Sequence, residues 1–460
     1  MSSQIQNLKQ FLKALPGKPA SLPFPLLEDG IDGFLLRLTK RYSGCFLLES
    51  HPGYPANYRY SIFGFSPSFQ LRGYPGAFVL NGQAVPAKNP YDDLKDLFPD
   101  KKNSKKYSGG LVGFLSYDAA ALFEPVTNLK PREGYPLFSF GLYLDGVVLD
   151  HLTGAAEYFY YSENRFSELK DLLDEEADTE VKTKVRSLGY SKTKEEYSNM
   201  FEKTKGEILS GNTFQCQIGF EEKFEIEGSS VPIFLSLKKN NPSPYLFFYK
   251  DHELETFGSS PELLFSHRDR IVETFPLAGT YPRGKTVSED KILTGKLLSD
   301  EKERAEHAML IDLHRNDLSR VCETGSVRLK KEFEILKFTH VQHITSEVAG
   351  ILKEKENSFS GLVSVFPAGT LTGAPKVESI KWIRKTEGDE RGPYGGVLGY
   401  HSLDGSSQFC ILIRSLFRSG SSAYSRAASG IVLDSVEDLE YQEILNKLKA
   451  VKASMEEFIL

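Results

Sequence analysis

Cysteine is scarce in this chain: Cys45, Cys216, Cys322 and Cys410 are the four among 460 residues. They lie far apart and form no C-x-x-C pair, which argues against a zinc knuckle or a dithiol redox motif. None sits in a G-x-C-x-G elbow, so no glutaminase-type nucleophile is present. A run of about 18 apolar residues is also missing, which argues against a transmembrane span. Met1 to Leu15 places Ile5, Leu8, Phe11, Leu12 and Leu15 among polar residues, the pattern of an amphipathic helix rather than a signal peptide. A cytoplasmic location is the expectation. Charge of one sign is lacking too: 56 Lys+Arg against 62 Asp+Glu give a net −6, spread without like-charged tails. Nucleic acid and membrane surfaces are therefore not implied as partners, and an anionic substrate would need a few placed groups. The G-x-G-x-x-G dinucleotide motif does not occur.

What is present suits a globular chain of two or three domains, with 40% hydrophobic and 26% charged residues. The first third reads as strands. Phe78 to Leu80 and Gln83 to Val85 flank Asn81-Gly82, a type I′ hairpin signal. Phe138 to Tyr143, Val147 to Leu152 and Ala156 to Tyr161, separated by Asp145-Gly146 and Thr153-Gly154, suggest a meander. Asp171 to Lys194 is polar and reads as a surface segment between two halves, 1–175 and 190–460. Thr193 and Glu196 form a capping box opening a helix that Gly211 should stop. Asp300 to Cys322 and Leu439 to Leu460 are further helix expectations, and Gly361 to Phe366 leads into a Gly/Pro-rich loop. The pattern as a whole is α+β.

Glu303 and Glu306, and again Glu440 and Glu443, are three apart on expected helices, so each pair shares a face. Lys447 lies one turn beyond Glu443. Four carboxylates on two helices suit Mg²⁺, which takes oxygen ligands and keeps waters and a substrate oxygen. Any one such pair is more often solvated helix surface. His340 and His343 lack a third zinc ligand; one of them as a general base and a packed structural histidine are both open. Phe366 to Lys376 and Pro276 to Gly284 are small-residue loops that suit either a tight turn or an anion at a helix start.

In order and spacing these segments resemble the chorismate-utilising enzyme family. The match runs through Ser260-Pro-Glu-Leu-Leu264, Pro276-Leu-Ala-Gly-Thr280, Ala305-Glu-His307, Asp312-Leu-His-Arg-Asn-Asp317 and His340-Val-Gln-His343. It continues through Phe366-Pro-Ala-Gly-Thr370, Gly373-Ala-Pro-Lys376, Arg391-Gly-Pro-Tyr394, Ile413-Arg414 and Glu440-Tyr-Gln-Glu443. The resemblance implies that family's fold, packed antiparallel sheets with outer helices. It implies Mg²⁺ on Glu306 and Glu443, with Glu303 and Glu440 beside them, holding the ring carboxylate of chorismate. Arg414 and Tyr394 would hold the enolpyruvyl carboxylate. Gln215, Gly279, Thr280, Thr370, the backbone of Ala428, Ser429 and Gly430, and Lys447 would complete the substrate contacts. Glu262 matches the general acid and His343 the base, with Thr280 beside it.

Within the family, the residues point to ammonia as nucleophile. Gln215 stands where water-activating members carry lysine, and Ala278 stands where many aminodeoxychorismate synthases carry a covalent lysine. Leu47-Leu-Glu-Ser50 resembles the tryptophan-sensing element of anthranilate synthase large subunits, with Leu48, Glu49 and Ser50 as contacts. Asn241, Pro242, Ser243, Pro244, Tyr245 and Leu246 resemble the rest of that effector pocket. The implied reaction is chorismate plus ammonia to anthranilate and pyruvate, the first step of tryptophan biosynthesis. It implies feedback by tryptophan and a separate glutamine amidotransferase subunit in a hetero-oligomer. The alternatives are an aminodeoxychorismate synthase, a 2-amino-2-deoxyisochorismate synthase, or an inactive chorismate-binding regulatory homologue. Departures from the family pattern are Ala428 for glycine, Gly219 for serine, Gln217 for an apolar residue, and Tyr281 for arginine.

Overall fold

The computed structural model describes residues 3–25, 30–51, 54, 59–98, 107–175, 182–338 and 341–459. His340, and residues 176–181 of the polar segment, lie outside the described residues.

Two antiparallel sheets, each of 12 described strands, make the body. In the first, the strand order runs Ala20–Phe24, Ala155–Tyr160, Asp145–Asp150, Tyr60–Phe65, Gly44–Glu49, Tyr245–Asp251, Leu254–Ser260, Ser415–Ser419, Ser422–Ile431, Gln215–Glu227 and Lys184–Tyr190. In the second, Leu277–Pro282, Val341–Ile351, Ile271–Thr274, Leu263–Arg268, Ser407–Ile411 and Val397–Ser402 continue into Gly110–Leu115, Phe138–Tyr143 and Phe69–Tyr74. Strands from either side of 175–190 thus share both sheets.

Strand alternation explains why the first sheet is buried on both faces. Along Tyr245–Asp251, Phe247 and Tyr249 join one core while Leu246 and Phe248 join another. Phe46 does the same against Cys45 and Leu47. One core lies between the sheets; helices Gly30–Arg41, Phe166–Leu173 and Val231–Asn240 cover the outer one. A third cluster, with Tyr197, Phe201, Ile383, Ile444 and Leu448, packs helices onto Gln215–Glu227 and Ser422–Ile431.

The local signals translate closely. Asn81 and Gly82 both take positive φ, 47° and 79°, as a type I′ turn requires. Thr193 caps helix Lys194–Leu209 with a complete capping box, and Gly211 follows its end at φ 76°. Asp300 caps Glu301–Ser319 by accepting from the Lys302 and Glu303 amides. The first and last helices run Ser3–Ala14 and Glu437–Lys452. Among the described residues, no helix is long and apolar enough to cross a membrane.

Two expectations fail. Phe138–Tyr143 does not open a meander: it lies in the second sheet, whereas Asp145–Asp150 and Ala155–Tyr160 pair in the first. The chain crosses between the sheets at Leu144, and Asp145-Gly146 opens the next strand, anchored by Arg165 donating to the buried Asp145 carboxylate. The polar segment also contains a strand, Lys184–Tyr190, on the edge of the first sheet. Its side chains are mostly exposed, which is why it lacks an apolar pattern.

Phe248→Ala should destabilise the chain by about 3–5 kcal/mol, because a fully buried aromatic leaves a cavity. Leu152→Ala, at a 76% exposed side chain, should stay within about 0.5 kcal/mol. Denaturant unfolding of the two variants checks the contrast.

Candidate active site

Where the ends of both sheets meet helices Glu301–Ser319 and Glu437–Lys452, a cavity of about 190 Å³ is lined by groups from distant segments. Glu262 follows strand Leu254–Ser260, and Thr280 and His343 face each other across Leu277–Pro282 and Val341–Ile351. Glu306 and Glu443 enter from the two helices. Gln215, Gly279, Thr370, Tyr394, Arg414, Ala428 and Lys447, also expected from sequence, line it as well.

Glu262 is buried, and desolvation lifts its pKa to about 8 against the opposing pull of the Thr370 hydroxyl, Arg414 and Lys447. The Thr370 hydroxyl donates to its carboxyl oxygen at 3.0 Å. A carboxyl in this state keeps its proton at neutral pH and can give it up. His343 is shifted the other way: burial, aided by Arg414 and Lys447, lowers its pKa to about 4. Its Nδ1 lies 2.8 Å from the Gly279 carbonyl, which only accepts, so Nδ1 carries the hydrogen. Nε2 is left as a bare lone pair, buried and without a partner in the described structure. Thr280 Oγ1 is 3.1 Å from the same Nδ1.

The Gly279 carbonyl reaches His343 because the strand bulges there, with the register shifting between Ala278 and Thr280. Glycine suits the bulge: φ is +66°, and a Cβ would stand 3.0 Å from Glu303 Oε2.

The cations stand opposite. Arg414 is half-buried and, among the described residues, forms no salt bridge with a carboxylate. Lys447 Nζ donates to the Ala428 carbonyl at 2.8 Å and pairs with Glu443 at 2.6 Å. Tyr394 is buried, and its hydroxyl meets the backbone amide of Ala428.

Burial raises the pKa of Glu306, and the charges of Glu303 and Glu443 raise it further. Glu303 is raised by burial, by Asp300 and by Glu443; Glu440 is raised by burial and by Glu443. This mutual repulsion among oxygen donors fits a divalent cation, whose charge would relieve it. Among the described residues no three acidic or imidazole groups converge as a ready cage. Glu443 turns to Lys447, and Glu306 accepts from Gln215 Nε2 at 3.0 Å. Two carboxylates with waters and a substrate oxygen are nonetheless an ordinary Mg²⁺ set.

Some expected residues stand back from the cavity. Glu303 lies behind Gly279 and the Thr280 amide, and Glu440 bonds Ser429 and Ser435. Ser429 is buried, 3.3 Å from the Tyr197 hydroxyl. Gly430 leaves room for the Gln215 and Gln217 amides, which a Cβ would meet at 3.0 and 2.8 Å. Arg426, which lines the cavity, went unpredicted; its signal is a charged residue directly before the small run Ala427-Ala-Ser-Gly430. Two departures are cross-strand neighbours. Gly219 faces Ala428 across the strand pair, and a side chain at 219 would come within 2.6 Å of the Ala428 Cα. Tyr281 bonds Asp300 at 3.1 Å and does not line the cavity.

A second pocket, about 120 Å³, is lined by Leu48, Glu49, Ser50, Tyr245 and Leu246, brought together by pairing of Gly44–Glu49 with Tyr245–Asp251. Glu49 is held by Lys238 at 2.9 Å. Asn241, Pro242, Ser243 and Pro244 do not line it: the Asn241 carbonyl accepts from Ser259, the Pro242 carbonyl accepts from Tyr54 at 3.1 Å, and Ser243 is buried. Pro244 borders a cleft of about 380 Å³ that shares Tyr245 and Leu263 with this pocket, and Pro261, Glu262 and Leu277 with the larger site.

Residues 46–453 match the model of a family described as chorismate binding enzyme. Anthranilate synthase component 1 of Leptospira biflexa is 43% identical over 99% of each chain. The protein of the same name from Methanothermobacter marburgensis is 41% identical over 90% of each. Among solved structures, anthranilate synthase component I from Streptococcus pneumoniae superposes with a TM-score of 0.77 at 33% identity, covering 88% of this chain and 93% of that one. With the family match spanning nearly the whole two-sheet body and the cavity at its centre, the chain belongs to the chorismate-binding enzymes.

Proposed function

We propose that this chain is an anthranilate synthase large subunit, converting chorismate and ammonia to anthranilate and pyruvate. One observation carries the reading: a single cavity holds a carboxyl that keeps its proton, Glu262, and an imidazole with a bare Nε2, His343, beside Arg414 and Lys447. The two groups have pKa values pushed apart, as an acid–base pair requires. Identity to proteins named anthranilate synthase component 1 supports the same assignment.

In this mechanism Arg414 and Tyr394 hold the enolpyruvyl carboxylate, and Lys447 adds positive charge. Glu262 donates its proton to the departing ring hydroxyl as ammonia forms the new C–N bond, so water leaves. His343 Nε2 then takes the ring proton, the C–O bond to the enolpyruvyl group breaks, and pyruvate departs as the ring becomes aromatic. Glu306 and Glu443 would hold Mg²⁺, with Glu303 and Glu440 in support; the ion would supply a positive clamp on the ring carboxylate. Ala278, where a covalent lysine would stand, offers no nucleophile, which disfavours the aminodeoxychorismate reading.

Ammonia would come from a separate glutamine amidotransferase subunit in a hetero-oligomer. Residues 1–175 would contribute tryptophan sensing and 190–460 catalysis. The pocket at Leu48 to Ser50 and Tyr245 would take tryptophan, and the cleft between, which shares wall residues with each site in turn, offers a route by which one could bias the other.

Purified chain with chorismate, Mg²⁺ and ammonium salt should develop anthranilate fluorescence; accumulation of 4-amino-4-deoxychorismate instead would sink the assignment. Because Glu262 must be protonated, kcat/KM should fall as pH rises through about 8. Glu306→Gln or Glu443→Gln should cut turnover by at least about a hundredfold and weaken Mg²⁺ binding measured by calorimetry. Ser50→Ala should weaken tryptophan inhibition while sparing turnover; unchanged inhibition in a titration would remove the effector reading.

A further inference from the structure

Behind the cavity, and not among its lining residues, lies Glu387, the buried last residue of helix Lys376–Glu387. Arg391 Nε and Nη2 donate to its two oxygens at 2.9 and 2.8 Å. Arg426 Nη2 lies 2.8 Å from Oε2, and the Gly219 amide donates to Oε1 at 2.9 Å. One carboxylate therefore holds two buried guanidiniums. Asp389 and Glu221 balance the second of them, at 3.0 and 3.4 Å from Arg426.

The arms of this cluster end at the walls of the cavity. Arg391 Nη1 donates to the Leu371 carbonyl at 2.7 Å, one residue beyond Thr370, and Nη2 donates to the Gln217 carbonyl at 2.9 Å. Its guanidinium carbon lies 5.7 Å from the Tyr394 ring centre. Arg426 is itself part of the wall next to Ala427 and Ala428. Burying this many charges is a poor route to stability, because desolvation offsets the Coulomb gain. What the cluster does provide is fixed geometry, since each fork accepts only one arrangement.

We propose that Glu387 is a positioning residue for catalysis: by orienting Arg391 it fixes the turn Gly369–Leu371, so that the Thr370 hydroxyl stays on the Glu262 carboxyl. The inference rests on Glu262 as the general acid. The charged and titratable groups that line the cavity with Glu262 are Arg414, Lys447, His343, Glu306, Glu443, Tyr394 and Arg426; of these, Arg426 is the one that also bonds Glu387 among the described residues.

The test uses the full chain with chorismate, Mg²⁺ and ammonium salt. Glu387→Gln should lower kcat by at least about tenfold through misplacement, while the chorismate KM moves less than about threefold. The alkaline limb of kcat/KM should move to higher pH, because the Thr370 hydrogen bond that lowers the Glu262 pKa is loosened. Thr370→Val should move the limb the same way, and the Glu387→Gln/Thr370→Val double variant should move it no further. If Glu387→Gln does not fold, Arg391→Lys takes its place, keeping the charge on Glu387 while giving up the bond to Leu371. A drop in kcat with the limb unmoved, or limb shifts that add in the double variant, would overturn the positioning role. Full activity of Glu262→Gln would instead overturn the acid assignment on which it rests.

Discussion

Burial of the Glu262 carboxyl, proton retained, is the constraint around which the rest of the site is arranged. Left in water this group would ionise near pH 4 and could donate nothing at neutral pH. Here the seam between two large sheets excludes water, and the Thr370 hydroxyl, Arg414 and Lys447 pull the pKa only part of the way back. The same dry environment strips the proton from His343 Nε2 by pushing the imidazole in the opposite direction. One physical cause, low polarity around two groups of opposite charge type, yields an acid and a base in one cavity. The cations needed for a dianionic substrate sit within that cavity, so a net charge of −6 is no obstacle.

Much of this was legible in the chain. The capping box at Thr193, the Asn81-Gly82 hairpin and the caps of the carboxylate-bearing helices are local devices, and local devices survive translation into structure. The motif order brought Glu262, Thr280, Glu306, His343, Tyr394, Arg414, Glu443 and Lys447 to one place. What escaped depends on long-range pairing. Nothing local marks Leu144 as the point where the chain passes between sheets, and the edge strand Lys184–Tyr190 hides because only one of its residues is fully buried. Arg426 and Glu387 are more than thirty positions apart, and charged residues in isolation read as surface. Asn241 to Ser243 resemble part of an effector motif yet do not line the pocket.

Two of the four departures from the family pattern lie opposite each other in the first sheet. Gly219 and Ala428 face each other across neighbouring strands, and the backbone of Ala427 and Ala428 comes so close that a Cβ at 219 would meet it. The Ala428 carbonyl still accepts from Lys447, and its amide still meets Tyr394. The wall therefore keeps its polar contacts while its surface changes by one carbon.

An isotope-edited infrared titration of the Glu262 carboxyl in the free enzyme, with Glu262→Gln as the blank, tests the buried acid most directly. The protonated-carboxyl band should persist through neutral pH and disappear around pH 8. A group already ionised in the ordinary carboxylate range, near pH 4, would contradict the mechanism at its root.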